Sequence, residues 1–256
     1  MTKAVILYRN RDRAAKAPST IIRLAAIVIA ASFMLLLPGC AARSILPAFS
    51  PTQTQVGGPQ CDLSTHICGK PAMTLDPTKD YSATIKTAKG DIVIHLDAKN
   101  SPQTVNNFIY LAQQHYYDGT YFWRVETPGQ PSPLDPTGQP SELSLIQGGS
   151  IQDDGDAGKN YPGYTIPDEL ATARSDGYKL GTIAMANTGQ PDTGAAQFFI
   201  NTGDNTDYFN PAYAVFGQVT AGLDVAWKIK SKDKIESVSI NVTPVATPTA
   251  SETTMG

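Results

Sequence analysis

Residues 181–202 read GTIAMANTGQPDTGAAQFFINT. Two short apolar runs, 182–186 and 195–200, flank a segment rich in Gly, Pro, Asp and Thr. Runs this short, bounded by turn residues, read as β-strands rather than helices. In a strand the side chains alternate between faces, so Gln197 and Phe199 share one face.

The same pattern recurs on either side. "TYFWRV" begins at Thr120, "LSLIQGG" covers 143–149, "AVFGQV" covers 214–219 and "ESVSINV" covers 236–242. Upstream, "YSATIKTAKGDIVIHLD" over 81–97 reads as two alternating segments around a turn, with Ile92, Ile94 and Leu96 on one face. One segment has helical spacing instead. In "NSPQTVNNFIYLAQQHYYDG", Ser101 is a candidate N-cap and Pro102 suits the first helical position. Val105, Phe108, Ile109 and Ala112 recur on one stripe, and Gly119 closes the helix. A second, shorter helix is expected over 223–230. Many short strands, Gly-rich turns and two separated helices predict a mainly β fold, a closed antiparallel barrel capped by helices.

Charge narrows the function. The first 39 residues hold six Lys/Arg and one acid, which leaves 14 basic and 22 acidic side chains beyond them. A surface this acidic argues against nucleic acid as a partner, because phosphate binding needs a basic face.

The basic N-terminus is followed by "LAAIVIAASFMLLL" over 24–37, an apolar run of 14 residues. That is shorter than the about 20 residues a membrane span needs and suits an export signal. "LPGC", ending at Cys40, resembles a bacterial lipobox, which makes Cys40 the lipid-bearing first residue of the mature chain. An uncleaved anchor extended by Ile21 and Ile22 is the alternative. Both tether the remainder outside the cytoplasmic membrane.

Residues 1–39 are thus read as a lipoprotein-type signal peptide and 40–80 as a Pro/Gly/Thr-rich stalk. Residues 81–243 form the domain, and 244–256 a disordered tail. Cys61 and Cys68, in "CDLSTHIC", are a disulfide candidate outside the cytoplasm. His66 between them leaves a zinc site conceivable, with a ligand short of the usual four.

Strand alternation assembles a candidate site. Phe122 and Arg124 share a face, as do Leu145 and Gln147, and Gln197 and Phe199. Apolar walls with a few planar hydrogen-bonding groups are the usual make-up of a small-ligand site. The chain lacks GxSxG, HExxH, a P-loop and a strand-bound GxGxxG, and its three histidines match no nucleophile–base pattern. A site of Arg, Gln and Phe works without nucleophile, base, metal or cofactor. Rotation about a bond is chemistry that needs none of them.

These residues resemble the cyclophilins. "FWRV" is similar to their Phe-His-Arg-Val strand, and "LIQGGS" to their Gln-Gly-Gly-Asp segment. The 181–202 stretch resembles their Met-Ala-Asn through Ser-Gln-Phe-Phe-Ile signature, and "AVFGQV" their Val-Phe-Gly-x-Val. The motifs keep the family order after the "TVNNF" helix, and the likeness runs from about Tyr81 to Val242.

The resemblance implies an eight-stranded cyclophilin-like barrel with two capping helices and peptidyl-prolyl cis–trans isomerase activity. It gives Arg124 the catalytic role and makes Gln147 the glutamine that orients arginine and substrate. It assigns substrate contacts to Phe122, Leu145, Ala186, Asn187, Thr188, Gln197 and Phe199, with Phe199 the floor of the proline site. Tyr208 or Phe209 falls at the family's tryptophan and Tyr213 at its pocket histidine. Trp123 stands where a histidine usually precedes the arginine, and Ser144 replaces a pocket phenylalanine. Residues 127–143, with five prolines, look like an insertion.

The expected partners are X-Pro segments of exported polypeptides, met by a membrane-tethered monomer. The departures at Ser144, Tyr208 and Tyr213 keep a second reading open, a proline-peptide binding module or holdase with little turnover.

Overall fold

The structure is a computed structural model that describes residues 58–155 and 162–245. Nine strands form one sheet. They are β1 (Lys79–Thr87), β2 (Gly90–Leu96), β3 (Tyr121–Phe122), β4 (Arg124–Glu126), β5 (Leu145–Gly148), β6 (Thr182–Met185), β7 (Phe198–Asn201), β8 (Val215–Ala221) and β9 (Asp233–Pro244). Their spatial order is β3-β9-β1-β2-β8-β6-β7-β5-β4, with antiparallel neighbours throughout. Among the described residues the helices are α1 (Pro102–Gln113), α2 (Ala171–Asp176) and α3 (Leu223–Ala226).

Among the described residues the sheet has nine strands rather than eight, and only the isolated Tyr121–Ser150 bridge, not a ladder, links β3 to the far side, so the closed eight-stranded barrel is not formed by hydrogen bonds. The reason lies at Trp123. The run read as one strand splits there, and its halves serve opposite ends of the sheet: β3 pairs with β9, β4 with β5. Trp123 N–H still reaches Gln147 O at 3.1 Å, but its carbonyl accepts from the Ser231 hydroxyl at 2.8 Å. The helix count also changes. α2 was not foreseen, and α3 is a single turn ending at Ala226 rather than near residue 230.

α1 forms where the apolar spacing placed it, although it ends at Gln113, and His115 takes a left-handed turn with φ 59°. Ser101 precedes it but makes no side-chain cap; its hydroxyl donates to Val215 O at 2.7 Å. The cap comes from a distance. The Glu169 carboxylate accepts the backbone N–H groups of Gln103 (3.0 Å) and Thr104 (2.8 Å), satisfying two donors that no helix can pair internally.

The strands have two buried faces. On one, Ile92, Ile94, Ile146, Ile183, Phe198, Ile200 and Phe216 pack against Val105, Phe108 and Ile109 of α1. On the other, Leu145, Ala184, Phe199 and Val215 pack with Ala173 of α2 and Tyr178. Alternation along each strand sorts neighbours such as Phe198 and Phe199 into different clusters.

The described part of the stalk, residues 58–78, lies against α1. Asn106 Nδ2 donates to Ala72 O at 2.9 Å, Tyr110 hydroxyl donates to Pro59 O, and Cys68 N–H reaches Pro162 O at 2.8 Å. Cys61 and Cys68 are joined as a disulfide. Cys40, the signal segment and most of the tail lie outside the described residues. No helix among the described residues is long and apolar enough to cross a membrane.

Candidate active site

Register builds the site. Arg124 pairs with Gln147 across β4 and β5, Gln147 with Phe199 across β5 and β7, and Phe199 with Ala184 across β7 and β6. Directly opposed residues point to the same side of a sheet, so Arg124, Gln147 and Phe199 form a row on the face of the second cluster.

The polar end of the row is a chain of hydrogen bonds. Arg124 Nε donates to Glu126 Oε1 at 2.8 Å, and Nη1 donates to Gln147 Oε1 at 3.3 Å. Gln147 Nε2 donates to Gln197 Oε1 at 2.9 Å, and Trp123 Nε1 donates to the same oxygen at 2.8 Å. Gln147 is only 9% exposed. The Arg124 side chain is 14% exposed and that of Glu126 0%. Such burial lowers the local dielectric and strengthens each charged contact.

Aromatic rings make the apolar end. Phe199 lies 5.6 Å from Phe209 and 5.3 Å from Tyr213, and Phe209 lies 5.4 Å from Tyr213, centroid to centroid. Tyr178 closes the group at 5.3 Å from Phe209 and 6.2 Å from Tyr213. The Tyr178 hydroxyl accepts backbone N–H groups from Ala212 (3.1 Å) and Tyr213 (2.9 Å), which anchors the loop carrying two of the rings. Burial raises the Tyr178 pKa above the usual phenol value, outweighing the hydrogen bonds that favour its anion.

Leu145 is fully buried beneath these rings. An open cavity of about 480 Å³ adjoins them, lined in part by Asn187, Tyr208, Phe209 and Tyr213. Tyr208 itself is 53% exposed and outside the aromatic cluster. Of the two residues aligned with the family's tryptophan, Phe209 is the one that packs.

At the end of β6, Ala186 N–H is taken by Gln197 O at 2.9 Å. Asn187 is held through its side chain, which donates to Ala212 O (2.8 Å) and accepts from Gly189 N (3.0 Å). That leaves the Asn187 backbone without a partner among the described residues. Thr188 is exposed and bonded to Thr193.

Phe122 is not brought to this site. It is fully buried in the main core, edge-on to Phe198 at 6.4 Å. Its expected face assumed an unbroken strand, and the interruption at Trp123 puts Phe122 and Arg124 on different sides. Two residues of the site were missed. Tyr178 sits alone in a loop sequence that signals nothing. Glu126 ends an aromatic run and reads as a solvent-facing charge, although its two-residue spacing from Arg124 was a usable sign that both share a face.

Hydrogen-bond donors fixed beside an aromatic pocket, with no nucleophile–base pair among them, are chemically suited to an apolar ring next to a polar bond. Relatives make the class specific. The family model for cyclophilin type peptidyl-prolyl cis-trans isomerases matches residues 82–249. A peptidyl-prolyl cis-trans isomerase of Helicobacter pylori is 36% identical over 177 residues, covering 64% of this chain and 96% of its own length. A Schizosaccharomyces pombe protein named peptidyl-prolyl cis-trans isomerase 9 is 33% identical over 149 residues, or 58% of this chain and 22% of its own length. Among solved structures, a cyclophilin-type isomerase of Cryptosporidium parvum has 22% identity and a TM-score of 0.46, covering 66% of this chain and 99% of its own. The chain belongs to the cyclophilin-type peptidyl-prolyl cis-trans isomerase family.

Proposed function

We propose that this isomerase accelerates X-Pro rotation in exported polypeptides, with Arg124 stabilising the twisted amide. The observation that carries the mechanism is the row Arg124–Gln147–Phe199, which sets a guanidinium beside an aromatic pocket. Amide rotation crosses about 18–20 kcal/mol because the planar C–N bond has double-bond character. In the twisted state the proline nitrogen becomes pyramidal and gains a lone pair. A guanidinium N–H aimed at that nitrogen donates to the twisted form and not to the planar one. Such differential binding lowers the barrier.

The proline ring sits on Phe199, walled by Phe209 and Tyr213. Gln147 aligns Arg124, and the Asn187 backbone pairs with the extended peptide. Atoms balance without a covalent step, since only a torsion changes.

Exported chains as substrates, membrane tethering and an extracytoplasmic location are supported by the basic–apolar–"LPGC" sequence before residue 41. They are also supported by the Cys61–Cys68 bond, of a kind that persists in oxidising compartments. The substrates then reach the domain during their own folding, when X-Pro bonds of both isomers are present. The same reading takes the protein as a monomer.

Titrating a labelled X-Pro peptide into wild type and Arg124→Ala tests the assignment. Turnover should fall by about 10²–10³ while the dissociation constant changes by less than about tenfold, since the ring pocket remains. Equal binding with no turnover by wild type would instead favour the holdase reading. Radiolabelled fatty acid incorporated at Cys40, and lost in Cys40→Ala, tests the tether.

A further inference from the structure

The insertion at residues 127–143 is a built arm, not a loose loop. Gly129 N–H donates to Ser141 O (2.9 Å), Ser141 N–H to Gln130 O (2.7 Å) and Ser132 N–H to Gln139 O (3.1 Å). Pro131 and Pro140 form an antiparallel bridge. The arm thereby fixes the backbone of Ser132, whose hydroxyl donates to Glu126 Oε1 at 2.9 Å.

Glu126 is the unusual member of this arrangement. Its carboxylate is fully buried, and Oε2 has no hydrogen-bond partner among the described residues. Leaving a buried carboxylate oxygen unpaired is costly, and a native structure keeps such a group where it serves something else. What Glu126 serves is legible in its other oxygen, which receives Arg124 Nε at 2.8 Å. With Nε held by Glu126 and Nη1 by Gln147, the plane of the guanidinium is fixed from two sides. Nη2 has no partner among the described residues and is left for the substrate. An arginine so held loses little freedom when the transition state forms.

We propose that Glu126 and Ser132 are positioning residues for Arg124, and that the 127–143 arm supports the site through the relay Ser132–Glu126–Arg124. The relay rests on the reading of Arg124 as the catalytic charge. The carboxylate has two opposed effects on that charge: it fixes the direction of donation and weakens the field. Fixed direction dominates, because the developing lone pair is met by an oriented N–H at short range.

Kinetics of X-Pro peptide isomerisation by the full protein test this, with Glu126→Gln, Glu126→Leu, Ser132→Ala and Ser132→Thr beside wild type. Gln keeps the acceptor and should cost about threefold in kcat. Leu removes the acceptor and should cost about 10- to 100-fold, the scale of a misaligned catalytic group. Ser132→Ala should cost several-fold and Ser132→Thr restore most of it. KM should stay within about twofold throughout, because the proline pocket is untouched.

Equal losses in Glu126→Gln and Glu126→Leu would overturn positioning in favour of a charge effect. Wild-type kcat in Ser132→Ala with a lowered melting temperature would reduce the arm to a structural element. The Arg124 Nε–H NMR resonance gives an answer independent of turnover. It should shift in Ser132→Ala and move further in Glu126→Gln. An unchanged resonance in both variants rejects the relay. A wild type that shifts with Ser132→Ala yet shows no turnover keeps the relay and rejects the isomerase mechanism.

Discussion

Trp123 donates its indole N–H to Gln197 Oε1 at 2.8 Å, and that oxygen also accepts Gln147 Nε2 at 2.9 Å. Indole nitrogen can only donate, so this contact settles which end of the Gln197 amide faces inward. Its Nε2 is turned away from both partners. The indole is held in turn. Gly155, at φ +72°, lies so close to the ring that an added Cβ would come within 2.2 Å of it.

Trp123→Phe keeps the ring and deletes the donor. One net hydrogen bond is worth about 1 kcal/mol. We expect KM for an X-Pro peptide to rise about fivefold while kcat stays within about twofold, measured by progress curves at several peptide concentrations. A fall in kcat with constant KM would mean that Trp123 acts on Arg124 instead.

Tyr178→Phe strips the hydroxyl that receives the N–H groups of Ala212 and Tyr213. An unpaired N–H costs about 1–3 kcal/mol when buried, and Ala212 is exposed and Tyr213 half-buried, so the loss should lie at or below the low end of that range. The variant should unfold at lower denaturant, and its peptide affinity should drop because Phe209 and Tyr213 ride on that loop. Chemical denaturation and a binding titration would show both effects. Unchanged stability would mean that the hydroxyl is dispensable to the loop.

The Cys61–Cys68 bond closes a short loop against α1 and residue 162. Reducing it, or replacing both cysteines with serine, should cost about 2–3 kcal/mol by chain entropy. The site lies on other elements, so kcat should hold below the new melting point. Loss of kcat in a still-folded variant would show that this loop reaches the site.

Stability should also fall in mild acid through His66. Burial lowers its pKa from an ordinary value near 6.5, and the neighbouring Asp62 only partly offsets this. The unfolded chain then takes up a proton more readily than the native state. The stabilisation is therefore complete above about pH 6.5 and is lost as pH falls toward the lower native value. His66 has φ 55°, which asparagine tolerates, so His66→Asn should flatten the melting temperature as pH falls below about 6.5. An identical slope in both proteins would assign the acid sensitivity to other groups.

Much of this was readable from local pattern. The face shared by Ile92, Ile94 and Leu96, the helical stripe of Val105, Phe108 and Ile109, and the face shared by Leu145 and Gln147 all follow from periodicity of two or 3.6. What escaped depends on long-range partners. Ser101 looks like a cap, yet Glu169, far along the chain, does the capping. Phe122 was placed by counting through a strand that Trp123 interrupts. Glu126 carries a charge that composition sends to water, and only the arginine beside it and the arm behind it make its burial intelligible. The 58–78 segment has the composition of a linker, and its order comes from contacts with α1 and from a disulfide.

The most direct test follows the cis-to-trans relaxation of a short X-Pro peptide, uncatalysed over about 10–100 s, with wild-type protein and with Arg124→Ala. The account predicts fast relaxation with wild type and a loss of about 10²–10³ in the variant, the scale of removing one preorganised donor. Relaxation as fast with Arg124→Ala as with wild type would contradict it.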